Sequence, residues 1–202
     1  GNREKCYALN KKYYPSSIKK PMEIWERLIS EHAEMGCDLL LNVGCGKGRE
    51  NMDYHKISQK SIGIDLDIES LLINKAFDNL INGDLENLKF KDSTVDLIIS
   101  RDVMEHLKNP SKVFQEFSRV LKMNGSIILL TPNIYNYVAI ISRITPYWFH
   151  KYFINRLLGI DEHDTFPTYY RANSLWKLDR LTRKVGLKRE RVIMIQKWPS
   201  YL

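Results

Sequence analysis

The sequence predicts an α/β fold, a Rossmann-like parallel sheet with helices on both faces, and three observations predict it. Short, almost wholly apolar runs recur between stretches of helical spacing, as buried parallel strands do when crossover helices cover both faces of a sheet. The first run, Leu39-Leu40-Leu41-Asn42-Val43, opens directly into Gly44-Cys45-Gly46-Lys47-Gly48. The second ends on an acid, Asp65, 17 residues after Gly48.

The elements follow in order. Pro21 suits the first turn of a helix reaching about Met35, with Ile24, Trp25, Leu28 and Ile29 on one face. Leu39 to Val43 is the first strand. A short helix is expected after the glycine loop, then a second strand from Ser61 to Asp65. The next helix is expected from Ile68 to Leu80, with a short third strand before Gly83-Asp84. Asp92-Ser93-Thr94 turns into a fourth strand, Val95 to Ser100. Asn109-Pro110 reads as the cap and first turn of a helix to Leu121, which Asn124-Gly125 terminates. Ser126 to Leu130 is the fifth strand, closing on Thr131-Pro132-Asn133. Residues 134–172, rich in aromatics and without a clean strand, read as a helical, aromatic cap inserted after it. A helix from Asn173/Ser174 to Val185, stopped by Gly186, precedes a sixth strand from Leu187 to Gln196. A single domain is expected over 1–202: an N-terminal helical segment to residue 37, a cofactor-binding core over 38–133, the cap over 134–172, and a C-terminal helix and strand.

Bulk properties narrow the class. The chain has 202 residues, 44% hydrophobic and 27% charged, ordinary values for a globular domain with a core of its own. No run of 18 apolar residues appears, and the first residues carry no apolar stretch of a secretory signal. Cys6, Cys37 and Cys45 are odd in number and lack metal-ligand spacing, which points to a reducing, cytoplasmic setting and to no metal site. The net charge is +7, and between Tyr170 and Lys197 nine Lys/Arg face two acids, so that stretch holds the excess. Such a stretch is either the solvated face of a helix and edge strand or a surface for nucleic acid or anionic lipid.

The glycine loop carries the chemistry. Glycines at alternate positions after a buried strand let the backbone turn sharply and approach a ligand, and aim the next helix's amides at it. A dinucleotide fingerprint, G-x-G-x-x-G, requires a glycine where Arg49 stands, which argues against a nicotinamide oxidoreductase. A P-loop requires Ser or Thr directly after Lys47, where Gly48 stands. Asp65, at the end of the neighbouring strand, is placed to accept bonds from both hydroxyls of a ribose, or else caps a turn. A cofactor with one ribose and no phosphate fits best.

With these residues the chain resembles the class I S-adenosylmethionine-dependent methyltransferases, in particular the subgroup with small-molecule and quinone-type members. LLLNVGCGKGR is similar to motif I, SIGIDLD to the acidic motif of the second strand, and NGDLENLKFKDSTVDLIISRDVMEHL to the third and fourth strands. SRVLKMNGSIILLTPN is similar to the helix and strand that close the core. The resemblance runs from about Leu39 to Asn133. It implies S-adenosylmethionine as cofactor, with S-adenosylhomocysteine as product, and sites by position. Gly44, Cys45 and Gly46 pass under the methionine part, Asp65 and Leu66 meet the ribose, Asp84 and the Leu85 amide face the adenine, and Arg101 lines the underside. Asn42 stands where the family commonly has an acid that helps anchor the methionine ammonium. Cys45 is equally a packing residue, and Asp84 equally a turn residue.

Methyl transfer is an in-line displacement on an already activated sulfonium, so alignment and desolvation do much of the work, with a base where the acceptor must lose a proton. The resemblance makes His106 a candidate base, with a structural histidine at a helix start as the alternative. His163 is a second candidate. The segment Ile140 to Leu158 interleaves apolar and aromatic residues with Arg143, His150, Lys151 and Arg156. It reads either as an amphipathic element receiving a lipid-linked acceptor at a membrane or as a cap packed on its own core. Recognition of nucleic acid is not expected, because no RNA-binding module accompanies the aromatics. The family's sheet usually has seven strands, and this sequence ends soon after the expected sixth, so either the sequence is cut short or the last strand is lost. The expected function is methyl transfer to a small or lipid-like acceptor, the alternative a non-catalytic cofactor-binding or interaction module.

Overall fold

In the computed structural model of the chain, the described residues are 21–34, 36–48, 52–134 and 166–195. They form five strands: β1 (Leu39–Val43), β2 (Lys60–Asp65), β3 (Asn79–Asn82), β4 (Val95–Arg101) and β5 (Leu121–Leu130). The helices are α1 (Pro21–Ala33), α2 (Ile68–Ile73), α3 (Pro110–Val120) and α4 (Leu175–Lys184), with single 3-10 turns at Tyr54–Lys56 and Met104–His106. The sheet is parallel throughout, in the order β3-β2-β1-β4-β5. Strand order reverses between β1 and β4, so the crevice beyond their carboxyl ends is the place such sheets bind ligands.

Central strands with both faces covered need apolar side chains at every position, and β1 is buried from Leu40 to Val43. Alternate residues divide into two cores. Leu41, Val43, Ile62, Ile64 and Ile98 meet Val113, Phe114, Phe117 and Val120 of α3, with Leu178 and Leu181 of α4 behind. Leu40, Leu97, Ile99 and Ile128 meet Trp25 and Ile29 of α1 and Leu71 of α2 on the other face. The predicted α/β sandwich is therefore present, with helices on both faces.

Four expectations change. The helix expected to run to Leu80 stops at Ile73, because Asn74 turns to an extended conformation and gives its side chain to the glycine loop. Asn109 precedes α3 but makes no side-chain cap, its amide donating instead to Glu86. The helix does not end at Asn124-Gly125. It ends at Val120, Leu121 already pairs with Val95, and the ladder resumes at Leu97–Ser126, leaving Lys122 to Gly125 as a bulge. Gly125 is needed there, since a Cβ would lie 2.9 Å from the Asp96 carbonyl oxygen. Leu187 to Ile195 form no strand. Arg189 ties this segment to Asp179 of α4 and Arg191 ties it to Glu31 of α1. The helix expected after the glycine loop begins in residues outside the described set, beyond which lies the single turn Tyr54–Lys56. The 140–158 element and His163 also lie outside the described residues.

Candidate functional site

Building begins at the end of β1. Gly44 (φ 73°), Gly46 (φ 49°) and Gly48 (φ 66°) all sit in the left-handed region that side chains avoid. Space separates their roles. A Cβ on Gly44 would strike the Val103 methyls and one on Gly48 would strike the Asn74 amide, whereas nothing lies within 4 Å of a Cβ on Gly46. Two glycines thus pack the loop down on its support, and the middle one faces open space.

Polar groups fix that shape. The Gly44 and Cys45 amides donate to the Ile64 carbonyl at 2.8 and 3.1 Å, tying the loop to β2. The Asp65 carboxylate accepts the Gly46 amide (2.7 Å) at one oxygen and the Asp67 amide (2.9 Å) at the other. Each carboxylate oxygen has a second lone pair, so Asp65 retains acceptor capacity toward a ligand. Asn74 donates to the Gly46 carbonyl at 2.8 Å from the far side. Spacing does not reveal Asn74, which reaches the loop from a helix end 28 residues on. Asp67 caps α2 by accepting from Glu69 N–H, and its bond from the Ser70 hydroxyl holds its carboxyl below the usual carboxylate range.

The other residues expected at the site have distinct surroundings. Cys45 is buried beside Gly63, whose missing Cβ would lie 2.8 Å from its sulfur, and so it has a packing role. Asn42 is buried in mid-sheet, level with Gly63 on β2 and Ile99 on β4. Leu66 is an apolar side chain left 68% exposed beside Asp65. Asp84 is exposed, its carboxylate accepting the Glu86 amide in a tight turn, and Leu85 is buried behind it. Arg101, half-buried at the end of β4, points its guanidinium 3.4 Å from the Met22 sulfur.

Beyond β4, Asp102 (φ 55°) turns the chain into Met104–His106. His106 Nδ1 lies 3.0 Å from the Pro167 carbonyl oxygen, and Phe166 packs edge-on at 6.0 Å. A carbonyl only accepts, so Nδ1 carries the proton and the neutral ring keeps its lone pair on Nε2. Glu105, which the sequence reading did not single out, is 6% exposed, and burial pushes its carboxyl above the usual range, with the Asp102 charge adding to the effect. It accepts from Thr131 Oγ1 (3.3 Å), to which Asn173 donates (2.6 Å), and its carbonyl accepts both the Tyr169 and Tyr170 amides. The available signal was an acid preceded by Val103 and Met104 and followed, after His106, by Leu107, in a segment leaving a buried strand. A cavity of about 620 Å³ runs along α1, β5, α4 and residues 186–195, reaching Thr131, Asn133 and Asn173 at its site end. No glycine-loop residue lines it.

The Cys37 thiol is pushed up to about 11, first by burial and then by Asp96, and is no nucleophile at neutral pH. Among the described residues no helix is long and apolar enough to cross a membrane.

Comparison with known proteins places this geometry. Residues 41–129 match the family described as methyltransferase domain. An uncharacterized protein of Methanocaldococcus jannaschii is 31% identical over 153 residues, which make up 75% of this chain and 59% of that protein. A probable S-adenosylmethionine-dependent methyltransferase of Mycolicibacterium smegmatis is 29% identical over 113 residues, 54% of this chain and 43% of the relative. The chain thus spans about half the length of these curated relatives. Among solved structures, an S-adenosylmethionine-dependent methyltransferase of Archaeoglobus fulgidus superposes with a TM-score of 0.56 at 17% identity, covering 89% of this chain and 73% of the other.

Proposed function

We propose that this chain, whose residues 41–129 match the methyltransferase domain family, carries the cofactor-binding core of the class I S-adenosylmethionine-dependent methyltransferases and transfers a methyl group to a small or lipid-like acceptor. The observation that carries the reading is the glycine loop, packed down at Gly44 and Gly48, open at Gly46, and joined to the Asp65 carboxylate at the sheet's switch point. These residues fit the cofactor, whose sulfonium supplies an activated methyl group when bound. In this reading Gly44, Cys45 and Gly46 back the methionine part, and the Asn42 amide oxygen accepts from the methionine ammonium, directly or through water. Asp65 takes the ribose hydroxyls, Leu66 the ribose edge, Asp84 and the Leu85 amide the adenine, and Arg101 closes the underside.

His106 is assigned the base. Its Nδ1–H is spent on Pro167, which leaves Nε2 to take a proton from an oxygen or nitrogen acceptor. The segment 134–172, expected from the sequence to be a cap, is assigned the acceptor. The buried free thiols of Cys37 and Cys45 support a cytoplasmic setting.

Calorimetry with S-adenosylhomocysteine and with NAD tests the premise. Binding of the first and not the second is expected, and no binding of the first at millimolar concentration refutes the reading. A non-catalytic module on the same fold would bind the cofactor yet methylate no acceptor, with His106 or with His106→Ala. An acting base predicts a loss of about 10²–10⁴ in kcat with cofactor affinity retained.

A further inference from the structure

The outward face of α4 has a composition that the fold does not require. Its inward residues, Leu178 and Leu181, pack on the core. Trp176, Arg180, Arg183 and Lys184 stand at i, i+4, i+7 and i+8 and share the opposite face. Trp176 is 67% exposed, and the Arg180 guanidinium lies 5.6 Å from its ring centroid. Leu175 is exposed beside it, and so are Val192, Ile193 and Met194, which line the same cavity as Leu175 and Thr131.

The charges there are unspent. Arg189 is paired with Asp179 and Arg191 with Glu31, and Lys177 donates to the Tyr170 carbonyl. Arg180, Arg183, Lys184 and Lys188 have no acid partner among the described residues, and Glu190 is the one acid between residues 171 and 195 not in such a pair. Cations in a helix's last turn complement its dipole, which accounts for Arg183 and Lys184 but not for Trp176 or the aliphatic cluster. An exposed amphipathic aromatic side chain and unpaired cations on one helix face, with an exposed leucine beside them at the helix start, match the polarity gradient of a lipid–water interface.

We propose that this face, with Leu175 at its edge, docks on the surface of an anionic lipid bilayer, Trp176 entering the interfacial layer and Arg180, Arg183 and Lys184 lying over headgroup phosphates. Single-stranded nucleic acid would also reward a ring beside arginines, but it gains little from the exposed Leu175 beside that ring. The face begins at Ser174, next to Asn173 and the end of β5, so docking sets the mouth of the site toward the bilayer. The inference stands apart from methyl transfer, and its test uses no cofactor.

The full chain is co-sedimented with phosphatidylcholine vesicles, with and without phosphatidylglycerol, at low and physiological ionic strength. Binding to the anionic vesicles alone, weakened by salt, is expected. Each basic residue near an anionic surface is worth roughly a fivefold factor, so R180Q/R183Q/K184Q should bind about a hundredfold more weakly. Spin-labelled lipid should quench part of the tryptophan emission of the parent, and Trp176→Phe should remove that part. Equal binding by parent and triple variant, equal binding to neutral vesicles, or quenching unaltered by Trp176→Phe would each overturn the proposal. So would a single-stranded RNA that displaces the protein from anionic vesicles at lower concentration than free phosphatidylglycerol vesicles do. The substituted residues are exposed, and matching melting temperatures confirm that only the surface has changed.

Discussion

Replacing Asp65 separates two duties that one carboxylate performs. It holds the Gly46 and Asp67 amides at 2.7 and 2.9 Å, and it is the proposed ribose acceptor. Hydrogen bonds to a charged partner contribute about 1.5–3 kcal/mol each, which caps the loss in Asp65→Ala at about 6 kcal/mol. Both amides are half-buried and water reaches them, so a loss of about 2–3 kcal/mol is expected. Asp65→Asn keeps one acceptor oxygen and should lose about half of that. Ligand affinity should fall further than stability, because two ribose hydroxyls lose a charged partner, weakening S-adenosylhomocysteine roughly 10²-fold or more in either variant. Denaturant titration reads the first effect and calorimetry the second. Asp65→Asn that binds within threefold of the parent would refute the ribose role. Asp65→Ala that unfolds at the parent's midpoint would refute the loop anchor.

Three further outcomes follow from the same geometry. Gly44→Ala should destabilise by about 2–4 kcal/mol, from a positive φ and a clash with Val103, and Val103→Ala in the same chain should recover the clash alone, as denaturant midpoints of the single and double variants will show. Glu105 is buried with its carboxyl raised above its ordinary value near 4.5, so the native state holds a proton that the unfolded chain gives up and loses stability as pH rises from there through the folded value. Glu105→Gln should therefore gain on the parent as pH rises from 4.5 toward neutrality, and a difference in unfolding free energy independent of pH would contradict this. The Tyr54 hydroxyl is buried with no partner among the described residues, so Tyr54→Phe should be neutral or stabilising by up to about 1 kcal/mol in thermal unfolding.

The strands and the glycine loop were legible because a buried parallel strand is written locally, as an unbroken apolar run with turn residues after it. Val95 to Arg101 needs nothing beyond its own side chains to be recognised. The end of α2 was illegible for the opposite reason. Residues 68–80 keep an acceptable helical pattern, and what breaks it is the bond from Asn74 to Gly46, a contact across the molecule. The start of β5 failed similarly: Asn124-Gly125 carries a real turn signal, but it marks a bulge in a strand already begun. At the site, Gly44, Gly46 and Asp65 stand together as their spacing suggested. That Asp65 is itself a structural tie, and that Glu105 anchors the chain at Tyr169 and Tyr170, depended on backbone partners that no pattern of side chains encodes.

Those anchors have an evolutionary consequence. Ile134 N–H reaches the Asn173 carbonyl at 2.8 Å, and Tyr169 N–H reaches the Glu105 carbonyl at 2.7 Å. The chain is thus clasped to the cofactor core immediately before residue 135 and shortly after residue 165. Whatever lies between two such clasps can change in length and sequence without shifting the register of β4 or β5. On the proposed function, lineages inheriting this core would exchange acceptor specificity by replacing that insert alone, keeping the residues proposed to hold the methyl donor.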